Sequence, residues 1–196
     1  MTEEDKEIVR LGRNKDFVRN NHVYRKIIGP DEHEQWFKEM DQKPHYILLI
    51  HYRGKKIGAV ILKDIPENIE SSTCGAFIWD EEFLGTRVPI LSVLTAIDFA
   101  FVECGIKKMN SIVLKSNHAA IKMNEFLGFT FHDRDPDSFL ITLEKAAYLA
   151  RRPVLLAIAK RSVKAASEHH LRISGTRSEK NYEKLNQLLP ELEDQN

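Results

Sequence analysis

Residues 71–129 read SSTCGAFIWD (71–80), EEFLGTRVP (81–89), ILSVLTAIDFAFVECG (90–105), IKKMNSIVLKS (106–116) and NHAAIKMNEFLGF (117–129). The pattern is strand, turn, long apolar helix, strand, short helix. In the long helix Leu91, Leu94, Ile97 and Phe101 share a face, with Ile90, Val93 and Ala100 beside them. So wide an apolar surface predicts a helix buried on most sides. Pro89 suits its first turn, where no N–H is needed, and Gly105 suits its stop. A strand that runs through a glycine turn into a helix N-terminus is also an anion-binding arrangement. Backbone N–H groups lack partners there, and the helix dipole adds partial positive charge. Asn117 is placed to cap the short helix, which carries Ala120, Met123 and Leu127 on one face and ends at Gly128.

The flanks extend this α/β alternation. Thr2 and Asp5, with acidic residues between them, predict a helix over residues 2–11. Residues 13–27 are irregular or loosely helical. A clearer helix starts at Pro30, with Trp36, Phe37 and Met40 facing inward. HYILLIHY and KKIGAVILKDI flank Arg53-Gly54, a β-hairpin signal. Phe129–His132 and residues 139–143 predict a last strand pair around DRDPDS. Beyond Lys145 the character changes. Leu149, Leu155, Leu156 and Ile158 alternate with Arg151, Arg152, Lys160, Arg161 and Lys164 as a basic amphipathic helix, followed by the break ISGTRS and a charged tail. We therefore expect a domain over 1–146 and a helical extension over 147–196.

Composition excludes some partners. In 196 residues there are 29 basic and 29 acidic side chains, so net charge gives no argument for nucleic acid. Cys74 and Cys104 show no metal-ligand spacing and read as free thiols of a reducing compartment. The N-terminus has no apolar segment of a signal peptide, and no apolar run approaches the ~20 residues of a membrane span. The expectation is a cytoplasmic protein without a metal.

Residues 117–129 are similar to the Asn-x-x-Ala-Ile-x-x-Tyr-Glu-x-Leu-Gly-Phe segment of the GNAT acyl-CoA N-acyltransferases. The strand-turn-helix before it resembles the core of the same family. The likeness implies a mixed, strongly twisted sheet flanked by helices, with acetyl-CoA as cosubstrate and a primary amine as acceptor. It implies that strand residues Phe77, Ile78 and Trp79 align the thioester. It also implies that the turn Gly85, Thr86, Arg87, Val88 and Ile90 holds the diphosphate and that Asn117 contacts the pantetheine arm. Two positions depart from the pattern. Arg87 stands where the family loop has a second glycine, and either crowds the phosphates or neutralises them directly. Asn124 stands where a tyrosine often protonates the leaving thiolate, and an amide cannot deliver that proton as a phenol does.

A base for the incoming ammonium is sought among Asp80, Glu81, Glu82 and His51, with Asp80 first because it closes the strand. Arg13-Asn14 with His33-x-x-Trp36 resembles a branch that acetylates nucleotide-linked amino sugars or ribosomal-protein N-termini. By that likeness Arg13, Asn14, His33 and Trp36 help form the acceptor pocket, and His51 is a further candidate there. Members of the branch begin with a short strand before this helix. Here it is shortened or absent, so a sheet edge calls for cover from another segment or a second copy. The C-terminal helix is a second candidate for self-association; adsorption to an anionic membrane is the weaker reading, its apolar face being short.

Overall fold

A computed structural model describes residues 1–161 apart from positions 43, 66, 67 and 69. The expected linker ISGTRS, the charged tail and part of the loop over residues 66–70 lie outside the described residues. The chain enters directly on helix α1 (Glu3–Asn14). The Thr2 hydroxyl accepts from the Asp5 amide at 3.1 Å, and the Thr2 amide donates back to the Asp5 carboxylate at 2.9 Å, a closed capping box. The helix runs three residues past the expected end because Gly12 does not break it. A Cβ at Gly12 would lie 2.6 Å from Cδ2 of Trp79, so its bareness lets α1 press onto that indole. A single turn, α2 (Asp16–Arg19), and the loop beyond it lead to α3 (Pro30–Met40), whose first residue is the proline.

The hairpin forms as read. β1 (Tyr46–Tyr52) and β2 (Lys55–Lys63) pair antiparallel. Arg53 and Gly54 turn between them at φ 47° and 77°, the left-handed pair that a two-residue turn requires. β3 (Ser71–Ile78) lies antiparallel to β2. After a short turn at Glu81–Phe83, the apolar helix appears as α4 (Val88–Asp98), with a wider π turn over Phe99–Glu103 before Gly105 stops it. Then come β4 (Lys108–Leu114), α5 (His118–Leu127), β5 (Thr130–Asp135), β6 (Ser138–Glu144) and α6 (Lys145–Arg161).

The six strands form one mixed sheet in the order β1-β2-β3-β4-β6-β5, with only the β3–β4 pair parallel. Alternation along β3 divides the core. Phe77 and Trp79 join Val9, Val18 and Ala59 beneath α1 and α2. Cys74 and Ile78 face the opposite side, where the α4 residues Leu94, Ile97 and Ala96 are buried. α6 packs into the same core as α4 through Tyr148 and Leu155. Its Arg152 grips the fully buried Asp98 of α4 at 2.7 and 2.8 Å, and the Tyr148 hydroxyl donates to the same carboxylate at 2.9 Å. Both cysteines are free. Among the described residues no helix is long and apolar enough to cross a membrane.

Candidate active site

The sheet has one weak seam. β3 and β4 pair only from Ser71–Lys108 to Thr73–Asn110 and then diverge. The Trp79 amide donates to the Ile57 carbonyl at 2.9 Å. Alternation along an antiparallel pair then sends the N–H and C=O groups of Ile78, Ala76 and Cys74 away from β2, towards the gap. A cleft of about 820 Å³ runs through this gap, lined by residues 73–78 of β3 and 111–114 of β4. The side chains do not fill it. Gly75 and Ala76 are exposed, and a Cβ on Gly75 would meet nothing within 4 Å. Phe77 and Ile78 line the cleft. Trp79 does not: its indole is 6 % exposed, donates to the Lys56 carbonyl at 2.9 Å and packs under Gly12. It belongs to the core because it shares a strand face with Phe77, and α1 covers that face.

One wall comes from α4 and α5. Leu84 and Gly85 line it, with Gly85 at φ 75°. Thr86, Arg87, Val88 and Ile90 lie outside the lining. Thr86 is engaged with its own turn: both its amide, at 3.2 Å, and its hydroxyl, at 2.7 Å, donate to the Phe83 carbonyl. The Val88 amide reaches the Thr86 hydroxyl at 3.4 Å, and Pro89 has no N–H. Arg87 is exposed at the N-cap, with no side-chain capping bond. On α5 the spacing 117, 120, 124 sets Asn117, Ala120 and Asn124 on one face, and all three line the cleft. The Asn117 side-chain oxygen Oδ1 caps the helix by accepting from the Ala120 amide at 3.1 Å. Its Nδ2 donates across to the Asn21 carbonyl at 3.5 Å.

The facing wall comes from α1, α3 and the loop between them. Asn14 does not line it. Its amide instead fixes the loop, accepting from the Ile28 amide at 2.8 Å and donating to the Ile28 carbonyl at 2.9 Å. Arg13 lines the cleft and donates through Nη2 to the Tyr24 carbonyl at 2.9 Å. His33 and Trp36 line it as stacked rings 5.7 Å apart. Burial, and then the nearby Arg10 charge, lower the His33 pKa. The lining residues His22 and Tyr24 carry no sequence signal, and Glu32, beside His33, lines the cleft with them. The Tyr24 hydroxyl donates to the Glu32 carboxylate. His22 Nδ1 lies 2.8 Å from the Val18 carbonyl, so that nitrogen must carry the hydrogen and Nε2 keeps its lone pair. Burial, then the Arg13 charge, bring the His22 pKa down to about 4. The imidazole is therefore neutral at physiological pH, edge-on to Phe77 at 5.7 Å.

Two expected residues stand elsewhere. Asp80 is outside the lining, and its carboxylate pairs with Lys55 at 2.5 Å across the hairpin end. That pairing, above all, lowers its pKa, so it is a tethered carboxylate away from the gap. His51 lies at the β1 irregularity and is exposed, also outside the cleft.

The chain shares this architecture with solved structures. A spermidine N-acetyltransferase from Vibrio cholerae, in complex with CoA and spermine, superposes with a TM-score of 0.64 at 18% identity, over 76% of this chain and 95% of that one. The N-acetyltransferase PseH of Campylobacter jejuni gives 0.55 at 20% identity, over 74% and 92%. A domain from Methanocaldococcus jannaschii gives 0.63 at 20% identity, over 74% and 94%. No curated protein matches the chain. The family model described as acetyltransferase (GNAT) domain matches residues 1–130, and with that match the chain belongs to the GNAT acetyltransferase family.

Proposed function

We propose that the protein transfers an acetyl group from acetyl-CoA to a primary amine. The observation that carries this is the parted β3–β4 seam. It sets outward-turned amides of β3 between a wall near a helix N-terminus and a wall of polar side chains. A pantetheine arm fits a groove kept open by Gly75 and Ala76, where the groups of Cys74, Ala76 and Ile78 can bond its amides as a strand would. A β3 amide also serves as donor to the thioester oxygen as charge develops there. The diphosphate has fewer amides than a glycine-rich loop would offer, because the Thr86 amide is spent and Pro89 has none. The amides of Gly85, Arg87 and Ile90 and the Arg87 guanidinium remain for it, with Asn117 beside the arm.

In the transfer the amine nitrogen bonds to the acetyl carbon, the carbon–sulfur bond breaks, and the amine gives up one proton. The His22 Nε2 lone pair accepts a hydrogen bond from the amine and turns the nitrogen towards the thioester; with so low a pKa it orients rather than stores the proton, which passes to solvent. His22 thus orients the amine, while the base sought at Asp80 is replaced by solvent. Asn124 donates a hydrogen bond to the sulfur but cannot protonate it. We take an amino-sugar nucleotide as the first acceptor candidate, on the likeness carried by Arg13, His33 and Trp36; a polyamine and a protein N-terminus follow. Residues 1–146 carry the chemistry in this reading and 147–196 extend it. The protein works in the cytoplasm, as an oligomer joined through the β1 edge or the C-terminal helices.

A second reading has one specific support. With Asn124 in place of a phenol and Arg87 in place of a glycine, the fold is also suited to holding acyl-CoA without turning it over. Calorimetric titration with CoA, alongside thiol release from acetyl-CoA with amino-sugar nucleotides, spermidine and short peptides, separates the two. Release with an amine supports the transferase; binding without release supports the second reading. Absence of CoA binding overturns both.

A further inference from the structure

Arg13 differs from the cations around it. Lys6 is paired with Glu3, Arg10 with Glu7, Arg19 with Asp16 and Lys56 with Asp5. Arg13 has no carboxylate partner among the described residues. Nη2 is held by the Tyr24 carbonyl at 2.9 Å, while Nη1 is buried without any hydrogen-bond partner. Burial alone brings its pKa down, to about 10, and the guanidinium stays charged. A buried, charged donor left unsatisfied is a standing cost to the fold. This one lies on the wall of the cleft, with His22 and the stacked His33 and Trp36 on the same wall. The backbone bond to Tyr24 restrains the guanidinium through Nη2.

We propose that Arg13 is the anchor for an oxyanion of the acceptor, phosphoryl or carboxylate, so that the amine acetylated here belongs to an anionic molecule and not to a polycation. The inference rests on the reading that this cleft takes an amine, and it narrows the acceptor class. Glu32 on the same wall does not argue against it. Its carboxylate is exposed to water and already accepts from Tyr24, whereas the Arg13 guanidinium carries a nitrogen that is buried and unpartnered. A spermidine-like acceptor would bring positive charge to an uncompensated cation. An amino-sugar phosphate or an amino acid would neutralise it and fill the bare Nη1.

The test compares the natural protein with Arg13→Gln on two matched acceptor pairs, glucosamine 6-phosphate against glucosamine and serine against ethanolamine, with spermidine as the polycation. The pair with the larger preference tells phosphoryl from carboxylate. A charge-assisted hydrogen bond is worth about 1.5–3 kcal/mol, so the natural protein should favour the anionic member about 10- to 150-fold in kcat/KM. In R13Q that preference should collapse, through KM far more than kcat, with the KM for acetyl-CoA changing little. A preference that survives in R13Q, or spermidine as the best substrate of the natural protein, overturns the proposal. If CoA binds but no amine is acetylated, uridine diphosphate titrated into the CoA-saturated protein decides. Binding that R13Q weakens at least tenfold supports the anchor; equal or absent binding refutes it. If CoA itself fails to bind, the acetyltransferase reading falls separately, and the same titration on ligand-free protein still judges Arg13. Should R13Q not fold, R13K, which keeps one donor for the Tyr24 carbonyl and loses the second nitrogen, takes its place.

Discussion

Replacing His22 by phenylalanine removes a cleft-lining imidazole whose hydrogen bond to the Val18 carbonyl fixes its tautomer. The folded protein holds His22 at a pKa of about 4 against an ordinary 6.5, chiefly through burial. A depressed folded pKa means that the unfolded chain binds the proton more readily. The contribution to stability is therefore complete above pH 6.5 and is lost as pH falls towards 4 and below. A gap of this size is worth about 3 kcal/mol in full, of which about 2 kcal/mol is gone by pH 5. The assay is urea unfolding of both proteins at pH 7.5, 6, 5 and 4.5. At pH 7.5 H22F loses about 1 kcal/mol for the missing bond to the Val18 carbonyl, and this offset cancels when slopes are compared. With slopes of ~1–3 kcal/mol per molar urea, a 2 kcal/mol effect moves the midpoint by roughly 1 M. The natural protein should lose that much more stability between pH 7.5 and 5 than H22F does. His33, also depressed by burial, contributes to both proteins and drops out. Parallel curves for the two would refute the neutral, buried imidazole and with it the hydrogen-bonding role assigned to Nε2.

Arg152→Ala leaves Asp98 buried without its cation and should cost about 3–5 kcal/mol, read as a fall in thermal midpoint of roughly 6–20 °C for a chain of this size; a loss under about 1 kcal/mol would contradict the buried pair. Gly12→Ala should destabilise despite alanine's better helix propensity, by about 1–3 kcal/mol, because its Cβ would fall 2.6–2.8 Å from Trp79 ring atoms; Gly75→Ala, with nothing within 4 Å, should unfold at nearly the natural midpoint. Asn124→Tyr restores a phenol on the cleft face of α5 and should raise kcat by about 10²-fold or more where thiolate departure limits the rate, with CoA affinity measured alongside to show that the arm still binds. Asp80→Asn should leave acetyl transfer within about twofold, since the carboxylate is tied to Lys55 outside the cleft, and a large loss would return Asp80 to the site.

Local chemistry was readable wherever a few neighbouring residues decide the backbone. Arg53-Gly54 specifies its turn, Asn117 and Gly128 bracket α5, and Pro89 starts α4 because each choice is settled within four or five positions. The cleft's α5 wall followed from the same letters. The facing wall did not, because its shape depends on contacts between distant positions. Asn14 and Arg13 hold carbonyls 14 and 11 residues on, and that pinned loop brings His22 and Tyr24 to the gap. Trp79 and Asp80 failed for a related reason. A strand's end shows which residues come last, not which face a later-placed helix covers, and Gly12, which decides it, lies far upstream. Asp98 was not singled out in the sequence, because the partners that explain it come 50 and 54 residues later.

The seam that makes the site also divides the sheet into β1-β2-β3 and β4-β6-β5. Each half is well paired within itself. β3 has six partners along β2 and β4 has seven along β6, whereas the seam has three. Such a junction opens at no loss of ladder within either half, but nothing in the ladder stops the halves from sliding. α4 leaves the first half and α6 leaves the second, and Asp98 joins them through Arg152 and Tyr148. Apolar packing alone would hold the two helices together with little preference for rotation or register. A bidentate ion pair with a third hydrogen bond accepts one geometry. A buried pair of this kind adds little net stability compared with apolar side chains of similar size, so its use lies in specifying arrangement. The gap is therefore braced through α4, which also forms one of its walls, by Asp98, Arg152 and Tyr148, none of which lines the cleft.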